Sequence, residues 1–412
     1  MTRHVAVIGA GIVGVSSAIW LRRAGVEVTL IDRAAPGTGT SHGNAGVLAA
    51  CSVVPVTGPG LIRKAPAMLL NPNVPLFLRW KYLPRLLPWL RQYLKNANDP
   101  DTRRIVQGLA PIIADTVTQH QALCRDLGLE DWVTPSDYVY AYRSRTDFDN
   151  EAYSWALRAK EGFVPNVIEG GGVHDYEPML NKDITCLAVL RDHGFIRDPG
   201  GYVKALARAF EALGGKVVTA QVENFDLSGG TLKAIETTSG RILCDDVVLA
   251  TGVWSKPMMS KLGLNIPLES ERGYHIVFEG ASGGPSRPIM VASGKFVATP
   301  MAAGVRCAGV LEFGGLDAGP SKAPLALLRR QAKAAFPNLK ATNEIEWLGH
   351  RPAPSDSLPL IGQIGTTRVY TAFGHHHVGL TGGPKTGRLI AGMVTGQPSN
   401  IDLAPYHPQR FS

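Results

Sequence analysis

Residues 5–32 read VAVIGAGIVGVSSAIWLRRAGVEVTLID, and this stretch decides the fold. An apolar strand, a turn with three glycines, a helix and a second apolar strand follow one another, and the second strand ends at Asp32. Gly9 permits the tight turn, Gly11 leaves space for a pyrophosphate, and Gly14 lets the helix pack closely on the strand. Together these elements form the pattern of a dinucleotide-binding βαβ unit.

Asp32 stands where a carboxylate can accept a hydrogen bond from a ribose hydroxyl group. A free 2′-hydroxyl suits such an acid, so the pattern favours FAD or NAD over NADP. Residues 246–252 read DVVLATG and predict a short buried strand, covered on both faces, that returns to the same sheet. An NAD-specific Rossmann half does not need this return, which favours FAD.

Composition limits the class of protein. The chain has 412 residues, of which 45% are hydrophobic and 18% are charged, and this length predicts two or three domains. Its five cysteines are scattered and include no CxxC pair, which argues against a disulfide framework or a cysteine zinc site. No apolar run approaches the roughly 20 residues of a membrane span, and the first strand begins too early for a cleavable signal. We therefore expect a cytoplasmic protein.

The formal net charge is +8, and the basic residues concentrate in one segment. Residues 75–95 read PLFLRWKYLPRLLPWLRQYLK, a mixture of aromatic and basic residues that suits the inner face of a membrane. Helices that pack their leucines on the domain are the alternative, and Pro84 and Pro88 are expected to break the helical run. No dense basic block or nucleic-acid module occurs, so we expect no nucleic-acid partner. The oligomeric state stays open.

The chain resembles the D-amino-acid oxidase superfamily of FAD-dependent amine and amino-acid oxidoreductases. Within it, the match is best to the small-subunit type of bacterial D-amino-acid dehydrogenase and to D-hydroxyproline dehydrogenase. Eight segments in the family's order carry this resemblance: GAGIVG at 9–14, TSHGNAG at 40–46, DPGGY at 198–202, ATG at 250–252, RGYH at 272–275, EFGG at 312–315, RPAPSDSLPLIG at 351–362 and GHHHVGLTGGPKTGRLIAG at 374–392.

The resemblance implies a mixed α/β fold with two domains. A discontinuous, Rossmann-like FAD-binding domain would comprise residues 1–50, 196–258 and 345–412. A substrate domain on a mixed, mainly antiparallel sheet would comprise residues 51–195 and 259–344.

The resemblance also implies an enzyme that dehydrogenates a D-amino acid or a cyclic imino acid such as D-proline or hydroxyproline. The flavin would take the α-hydrogen as hydride on its N5 atom and pass electrons to a quinone or another acceptor. Three alternatives stay open: an oxygen-using oxidase of the glycine or sarcosine type, an NAD-linked dehydrogenase, and a flavoprotein subunit without catalysis.

The substrate carboxylate needs an anchor, and arginine offers a planar fork for it. Arg351 matches the family's arginine before proline and is the first candidate, Arg272 is the second, and the phenol of Tyr274 would donate to the same carboxylate. Further pocket residues are expected at Asn44, His275 and His376. The residues expected to bind FAD are Gly9, Gly11, Ile12, Val13, Gly14, Asp32, Arg33, Ser41, Asn44, Ala45, Gly46, Val222, Thr251, Gly252, Trp254, Gly379, Leu380 and Thr381.

The C-terminal segment predicts a glycine-rich loop followed by a helix at about 386–394. The helix N-terminus would face the flavin pyrimidine ring and stabilise negative charge there. Sarcosine-oxidase relatives bind their flavin through a cysteine where this chain has Leu348, Gly349 and His350, so non-covalent FAD is expected. The adjacent His375, His376 and His377 point in different directions, and no metal site is expected.

Overall fold

The computed structural model describes residues 3–71 and 73–412. Its strands are β1 (His4–Ile8), β2 (Glu27–Asp32), β3 (Val47–Leu48), β4 (Leu76–Leu78), β5 (Thr134–Tyr142), β6 (Asn166–Glu169), β7 (Cys186–Phe195), β8 (Lys216–Thr219), β9 (Val222–Asp226), β10 (Ala234–Thr237), β11 (Gly240–Leu243), β12 (Asp246–Leu249), β13 (Leu268–Glu279), β14 (Ile289–Val291), β15 (Phe296–Met301), β16 (Gly304–Phe313), β17 (Asn343–Pro354), β18 (Leu360–Gln363) and β19 (Val369–Phe373). Its helices are α1 (Ile12–Arg23), α2 (Leu61–Leu70), α3 (Leu83–Lys95), α4 (Asp99–Ile113), α5 (Thr116–Cys124), α6 (Arg145–Asp149), α7 (Ala152–Lys160), α8 (Gly172–Tyr176), α9 (Pro199–Ala212), α10 (Ser255–Lys261), α11 (Lys322–Ala335) and α12 (Gly379–Val394).

The first sheet contains the predicted βαβ unit. Its strand order is β18-β19-β12-β1-β2-β8, and its strands are parallel except for the antiparallel pair of β18 and β19. α1, α9 and α12 share a hydrophobic core on one face, while α10 and the small sheet β11-β10-β9 cover the other face. β12 contributes Val248 to one core and Val247 and Leu249 to the other, so the strand predicted to be covered on both faces is confirmed.

α12 begins earlier than the sequence predicted. The glycines that were expected to form a loop lie inside the helix, which starts at Gly379 and not near residue 386. Gly387 faces α1 at very close range, because a Cβ atom there would lie 2.6 Å from the backbone carbon of Ser16. A Cβ atom on Gly383 would likewise lie 3.1 Å from the Cγ1 atom of Ile12. The glycines therefore serve helix packing, which overrides their low helix propensity.

The second sheet is larger and mixed. Its order is β17-β13-β16-β15-β14-β5-β7-β3, with β4 paired to β16 and β6 paired to β7. α11 packs on one face in a core with Ile276, Phe296 and Leu328. The other face turns towards the first sheet, and the two sheets enclose the site described below.

Two segments lie with a different sheet from the one that the expected domain boundaries gave them. β17 pairs with β13 along its whole length, so residues 345–354 lie in the second sheet and not with the FAD-binding segments. Residues of α4 and α5, such as Ile112 and Leu123, belong to the core of the first sheet although the expected substrate domain included them.

α3 is continuous through Pro84 and Pro88, contrary to the expected break. Pro84 lies in the first turn, where backbone N–H groups have no partner inside the helix, and so only Pro88 removes an internal bond. The helix buries Leu86, Trp89 and Tyr93 against the second sheet. Across the two stretches that the structure describes, none of the helices has both the length and the apolar character needed to traverse a bilayer.

Candidate active site

One large cavity lies between the two sheets. Its volume of about 1690 Å³ exceeds the roughly 300–1,000 Å³ of an ordinary small-molecule pocket. The first side of the cavity is formed by the turn between β1 and α1, the end of β2, residues 38–45 and the start of α12. The opposite side is formed by β13, β17 and α3. The space therefore suits a long cofactor together with a small substrate.

The turn after β1 is built as the sequence predicts. Gly9 has a φ of +106°, and a Cβ atom on it would lie 2.5 Å from the carbonyl oxygen of Ala250. A Cβ atom on Gly14 would lie 1.8 Å from the carbonyl oxygen of Gly9. Gly11 leaves the cavity open beside the Ser41 hydroxyl, which accepts the N–H of Ile12 at 3.0 Å. Side chains are thus kept away from the N-terminus of α1, where a pyrophosphate binds.

Asp32 is held at the carboxyl end of β2. Its carboxylate accepts the N–H of Ala10 at 2.7 Å and the N–H of Ala34 at 3.0 Å, and the residue borders the cavity. Nearby, the guanidinium of Arg33 lies 4.4 Å from the ring centre of Trp254. This fixed acid beside a flat cationic and aromatic surface suits the ribose and base of a dinucleotide.

The loop at residues 42–46 is held by a group that the sequence prediction missed. Arg306 on β16 donates to the carbonyl oxygens of His42 and Asn44 at 2.9 and 2.6 Å. Burial lowers the pKa of Arg306 to about 10. The Asn44 side chain in turn accepts the N–H of Gly46 at 2.8 Å. Asn44 therefore shapes the loop and also borders the cavity.

Most of the expected cofactor residues meet at this cavity. Those that border it are Gly9, Gly11, Ile12, Val13, Asp32, Arg33, Ser41, Asn44, Ala45, Val222, Thr251, Gly252, Trp254, Gly379, Leu380 and Thr381. Gly14 and Gly46 lie outside its lining, because Gly14 packs on the Gly9 backbone and Gly46 on the Ile196 carbonyl.

The N-terminus of α12 also opens into the cavity. Its first intrahelical bond is donated by Gly382 to Val378, which leaves the N–H groups of residues 379–381 outside the helical ladder. His120 supports this turn, because it bonds to the Leu380 carbonyl and to the Tyr202 hydroxyl, both at 2.9 Å. Burial lowers the pKa of His120 to about 4, so its ring is neutral at neutral pH. The helix end thus presents free donors and partial positive charge.

Arg351 faces the cavity from β17. Its partner in the pairing with β13 is Glu271, so the two side chains share one face. The guanidinium lies across Gly273, where a Cβ atom would come within 2.8 Å of it. Burial lowers the pKa of Arg351, and the charge of Glu271 acts in the opposite direction. Among the residues that the structure describes, no hydrogen-bond or ion-pair partner engages the Arg351 guanidinium within 4.0 Å.

Arg272 and Tyr274 require a correction. Successive residues of β13 point to opposite faces, so these two side chains lie on the opposite face from Glu271, although Tyr274 still borders the cavity. The Nε atom of Arg272 lies 2.9 Å from Glu312, and Arg272 is fully buried. The hydroxyl of Tyr274 donates to Glu312 at 2.8 Å and accepts the N–H of Ser321 at 3.0 Å. Both predicted anchors are therefore committed to a buried cluster behind the sheet.

His275 lies outside the cavity lining. Its ring stacks on Trp347 at 5.0 Å and bonds to the Gly43 carbonyl at 3.1 Å. Burial, reinforced by the nearby charge of Arg306, lowers the pKa of His275 to about 3. It supports the cofactor loop and does not reach a substrate.

His376 borders the cavity and contacts Glu271. Its Nε2 atom lies 2.6 Å from a carboxylate oxygen of Glu271, and its Nδ1 atom lies 2.8 Å from Nδ1 of His377. Burial, together with the neighbouring His376 and the charge of Arg351, lowers the pKa of His377 well below its ordinary value. Within residues 3–71 and 73–412, no cluster of three or more histidine, cysteine or acidic side chains is arranged to bind a metal.

Tyr93 is a cavity residue that the sequence prediction missed. It is 6% exposed, stacks on Trp89 at 4.5 Å and borders the cavity. Burial, together with the charge of Glu271, raises the pKa of its phenol well above the ordinary value. A protonated phenol thus borders the same cavity as Arg351.

Comparisons with known proteins agree with this geometry. A family model described as FAD dependent oxidoreductase (DAO) matches residues 4–393. The chain is 40% identical over 417 residues to a D-amino-acid oxidase of Bradyrhizobium diazoefficiens, with 99% of both chains covered. It is 28% identical over 420 residues to a D-amino acid dehydrogenase of the same organism, again with 99% of both covered. A solved L-proline dehydrogenase from P. horikoshii shares the fold, with a TM-score of 0.76, 19% identity and 100% and 98% of the two chains covered.

Proposed function

Because the chain belongs to the DAO family of FAD-dependent oxidoreductases, we propose that it dehydrogenates a D-amino acid or a cyclic imino acid such as D-proline or hydroxyproline. The observation that supports this substrate class is the guanidinium of Arg351, which has no partner among the described residues. It faces the same cavity as the dinucleotide-binding turn, and a carboxylate is the ligand that a guanidinium fork fits best.

Arg351 would bind the α-carboxylate with two parallel hydrogen bonds, which orients the α-carbon towards the cofactor. The phenol of Tyr93 would donate a further bond to the same carboxylate. Burial keeps this phenol protonated, and so it remains a donor over the working pH range. Catalysis would then depend on orientation of the substrate, which is worth several orders of magnitude in rate.

The imidazole of His377 adds no positive charge beside Arg351. Its depressed pKa leaves the imidazole neutral at neutral pH. Solvent can take the proton that the substrate ammonium must lose, so no dedicated acid–base pair is required.

When bound, FAD supplies the two-electron acceptor for the hydride of the α-carbon. The free N–H groups at residues 379–381 would stabilise negative charge on the reduced cofactor. We propose non-covalent FAD, because the five cysteines are buried and are absent from the cavity lining.

We further propose that electrons pass to a membrane quinone in preference to oxygen. α3 exposes Leu87 together with Arg85 and Arg91, and Trp80 precedes it with 58% of its surface exposed. Arg79 is not part of this surface, since it bonds to Ser321 at 3.0 Å. A basic, aromatic surface over a helix that borders the cavity suits contact with an anionic membrane.

Anaerobic reduction of the flavin tests the substrate class. D-Alanine, D-proline, hydroxyproline isomers, glycine and sarcosine are mixed in turn with the purified yellow protein, and absorbance at the flavin band is followed. We expect bleaching by a D-amino or imino acid, and none of these compounds would bleach a subunit without catalysis. Reoxidation by a quinone analogue and by oxygen is then compared, and faster reoxidation by oxygen would favour the oxidase alternative.

Vesicle binding tests the membrane contact. The double variant Arg85→Glu and Arg91→Glu should lose affinity for anionic liposomes while dye-linked turnover is kept. The double variant Lys204→Glu and Arg208→Glu changes the charge equally on the exposed side of α9 and serves as the control. Equal binding by wild type and both variants would contradict the proposal.

A further inference from the structure

Glu271 is a buried carboxylate on the cavity side of β13. It is 2% exposed and borders the cavity directly opposite Arg351 in the strand pairing. Side chains at such opposed positions have Cβ atoms about 4.5–5.5 Å apart. One negative and one positive group therefore face the same space from neighbouring strands.

The charge of Glu271 acts on Arg351, but the two groups do not meet in a direct ion pair. Within the described part of the chain, no ion pair of 4.0 Å or less joins Glu271 to Arg351. The reason is local: the guanidinium extends along the strand over Gly273, away from Glu271. The Glu271 carboxylate and the Arg351 guanidinium are therefore separated by space within the cavity, although buried opposite charges usually form a direct pair.

His376 packs against the Glu271 carboxylate. Its Nε2 atom lies 2.6 Å from one oxygen of Glu271, although the two atoms are not aligned for a hydrogen bond. The main-chain N–H of His376 donates to the Pro352 carbonyl at 3.0 Å, so the backbone of this residue is anchored to β17. The carboxylate is thus in contact with a residue whose backbone is fixed on the neighbouring strand.

We propose that Glu271 binds the α-ammonium group of the substrate while Arg351 binds its α-carboxylate. The two strands then form a clamp for a zwitterion, with charges of the right sign on either side of the α-carbon. His376 is a positioning residue in this arrangement. The inference rests on the proposed function and adds the group that distinguishes amino and imino acids from plain carboxylic acids.

The test compares ligands that differ only in the amino group. D-Alanine is matched with propionate, and D-proline with cyclopentanecarboxylate. The amino acids are measured by the concentration dependence of anaerobic flavin reduction, and the carboxylates by inhibition constants. In Glu271→Gln, the apparent affinity for the amino acids should fall about ten- to hundredfold, as expected for loss of a hydrogen bond to a charged group. Affinity for the carboxylates should stay unchanged or increase.

Glu269→Gln is the matched control. Glu269 lies on the same strand and face, is 6% exposed and accepts the Tyr82 hydroxyl at 3.0 Å, but it is absent from the cavity lining. This variant should leave the preference for amino acids intact. Glu271→Asp keeps the charge and should recover part of the preference, and it supplies the test if Glu271→Gln does not retain FAD.

Equal losses for amino acids and carboxylates in the Glu271 variants would overturn the inference. Such a result would still leave the proposed function standing, provided that a D-amino or imino acid bleaches the wild-type flavin. Failure of every amino and imino acid to bleach it would instead reject the proposed function itself.

Discussion

The two sides of the cavity are built on different principles. We call the first the dinucleotide wall (residues 9–12, Asp32, Ser41 and residues 379–381) and the second the sheet wall (Glu271, Gly273, Gly349 and Arg351). The dinucleotide wall offers backbone N–H groups and glycine surfaces at the ends of strands and helices. The sheet wall offers charged side chains from one face of two long strands. A ligand bound by the first wall is recognised by its phosphates, and one bound by the second is recognised by its charges.

The largest expected effect is that of replacing Arg351, which should impair the sheet wall and leave the dinucleotide wall intact. In Arg351→Met, a buried substrate carboxylate loses its partner, which costs about 2–5 kcal/mol of binding free energy. We therefore expect kcat/KM to fall roughly thirty-fold to several thousand-fold. Arg351→Lys should recover only part, since an ammonium cannot reproduce the fork. Steady-state kinetics and the flavin spectrum are the measurements.

FAD content should stay at the wild-type level in both Arg351 variants. Loss of flavin together with activity would mean that Arg351 supports the dinucleotide wall. Arg272→Met is the contrast, because removal of one partner of the buried pair with Glu312 should lower stability and not substrate selectivity.

Asp32→Ala should act on the dinucleotide wall alone. Loss of a charge-assisted hydrogen bond to the cofactor costs about 1.5–3 kcal/mol, which weakens FAD binding by roughly ten- to a hundredfold. The measurement is FAD titration of the apoprotein obtained by acid or heat. With saturating FAD, the apparent affinity for substrate should equal that of the wild type. Flavin that remained attached after denaturation would contradict non-covalent binding.

The walls should also differ in their response to acid. His120 beside α12 has a pKa lowered to about 4 by burial, as does His375 on the same side. Between pH 6.5 and about 4 the unfolded chain binds protons at these positions that the folded chain does not. The contribution of each histidine to the free energy of unfolding is therefore fully present above pH 6.5. It decreases as the pH falls, by about 2 kcal/mol per histidine at pH 5.

Urea unfolding at pH 7 and pH 5 measures this difference. His120→Gln should reduce the loss between the two pH values, whereas the exposed His407→Gln should not change it. An unchanged pH dependence in His120→Gln would show that the support of α12 does not depend on a neutral imidazole.

The smallest expected effect concerns Tyr93. Tyr93→Phe removes one neutral donor to the substrate carboxylate, and such bonds contribute about 0.5–1.5 kcal/mol. We expect kcat/KM to fall about two- to tenfold, with FAD binding unchanged. Tyr274→Phe is the matched control behind the sheet, and it should affect stability more than kcat/KM. The reverse outcome would return the donor role to Tyr274.

The dinucleotide wall could be placed from the sequence, whereas the sheet wall could not. Gly9, Gly11 and Asp32 have roles that follow from backbone geometry, which a short pattern specifies. The RGYH segment does not reveal which of its side chains face the cavity, and a shift by one residue exchanges the two faces. The polar groups of Arg272 and Tyr274 instead contact Glu312, while Glu271 was passed over.

Two other differences have the same kind of cause. The start of α12 was predicted too late because glycine disfavours helices, and only the distant partner α1 shows why Gly383 and Gly387 are tolerated. Tyr93 lay in a segment whose composition suggested a membrane surface. Its burial depends on Trp89 and Phe313, which a reading of residues 75–95 does not join.

The strand order of the first sheet sets the timing of assembly during protein synthesis. β1 pairs with β12, more than half the chain later, and β12 pairs with β19 near the C-terminus. Such distant pairings make folding slow, because long loops must close first. The core around α1 is also incomplete until the glycines of α12 pack against this helix. The ribosome must therefore release nearly the whole chain before the cofactor cradle can form, and until then the nascent β1–α1 unit leaves an apolar face uncovered.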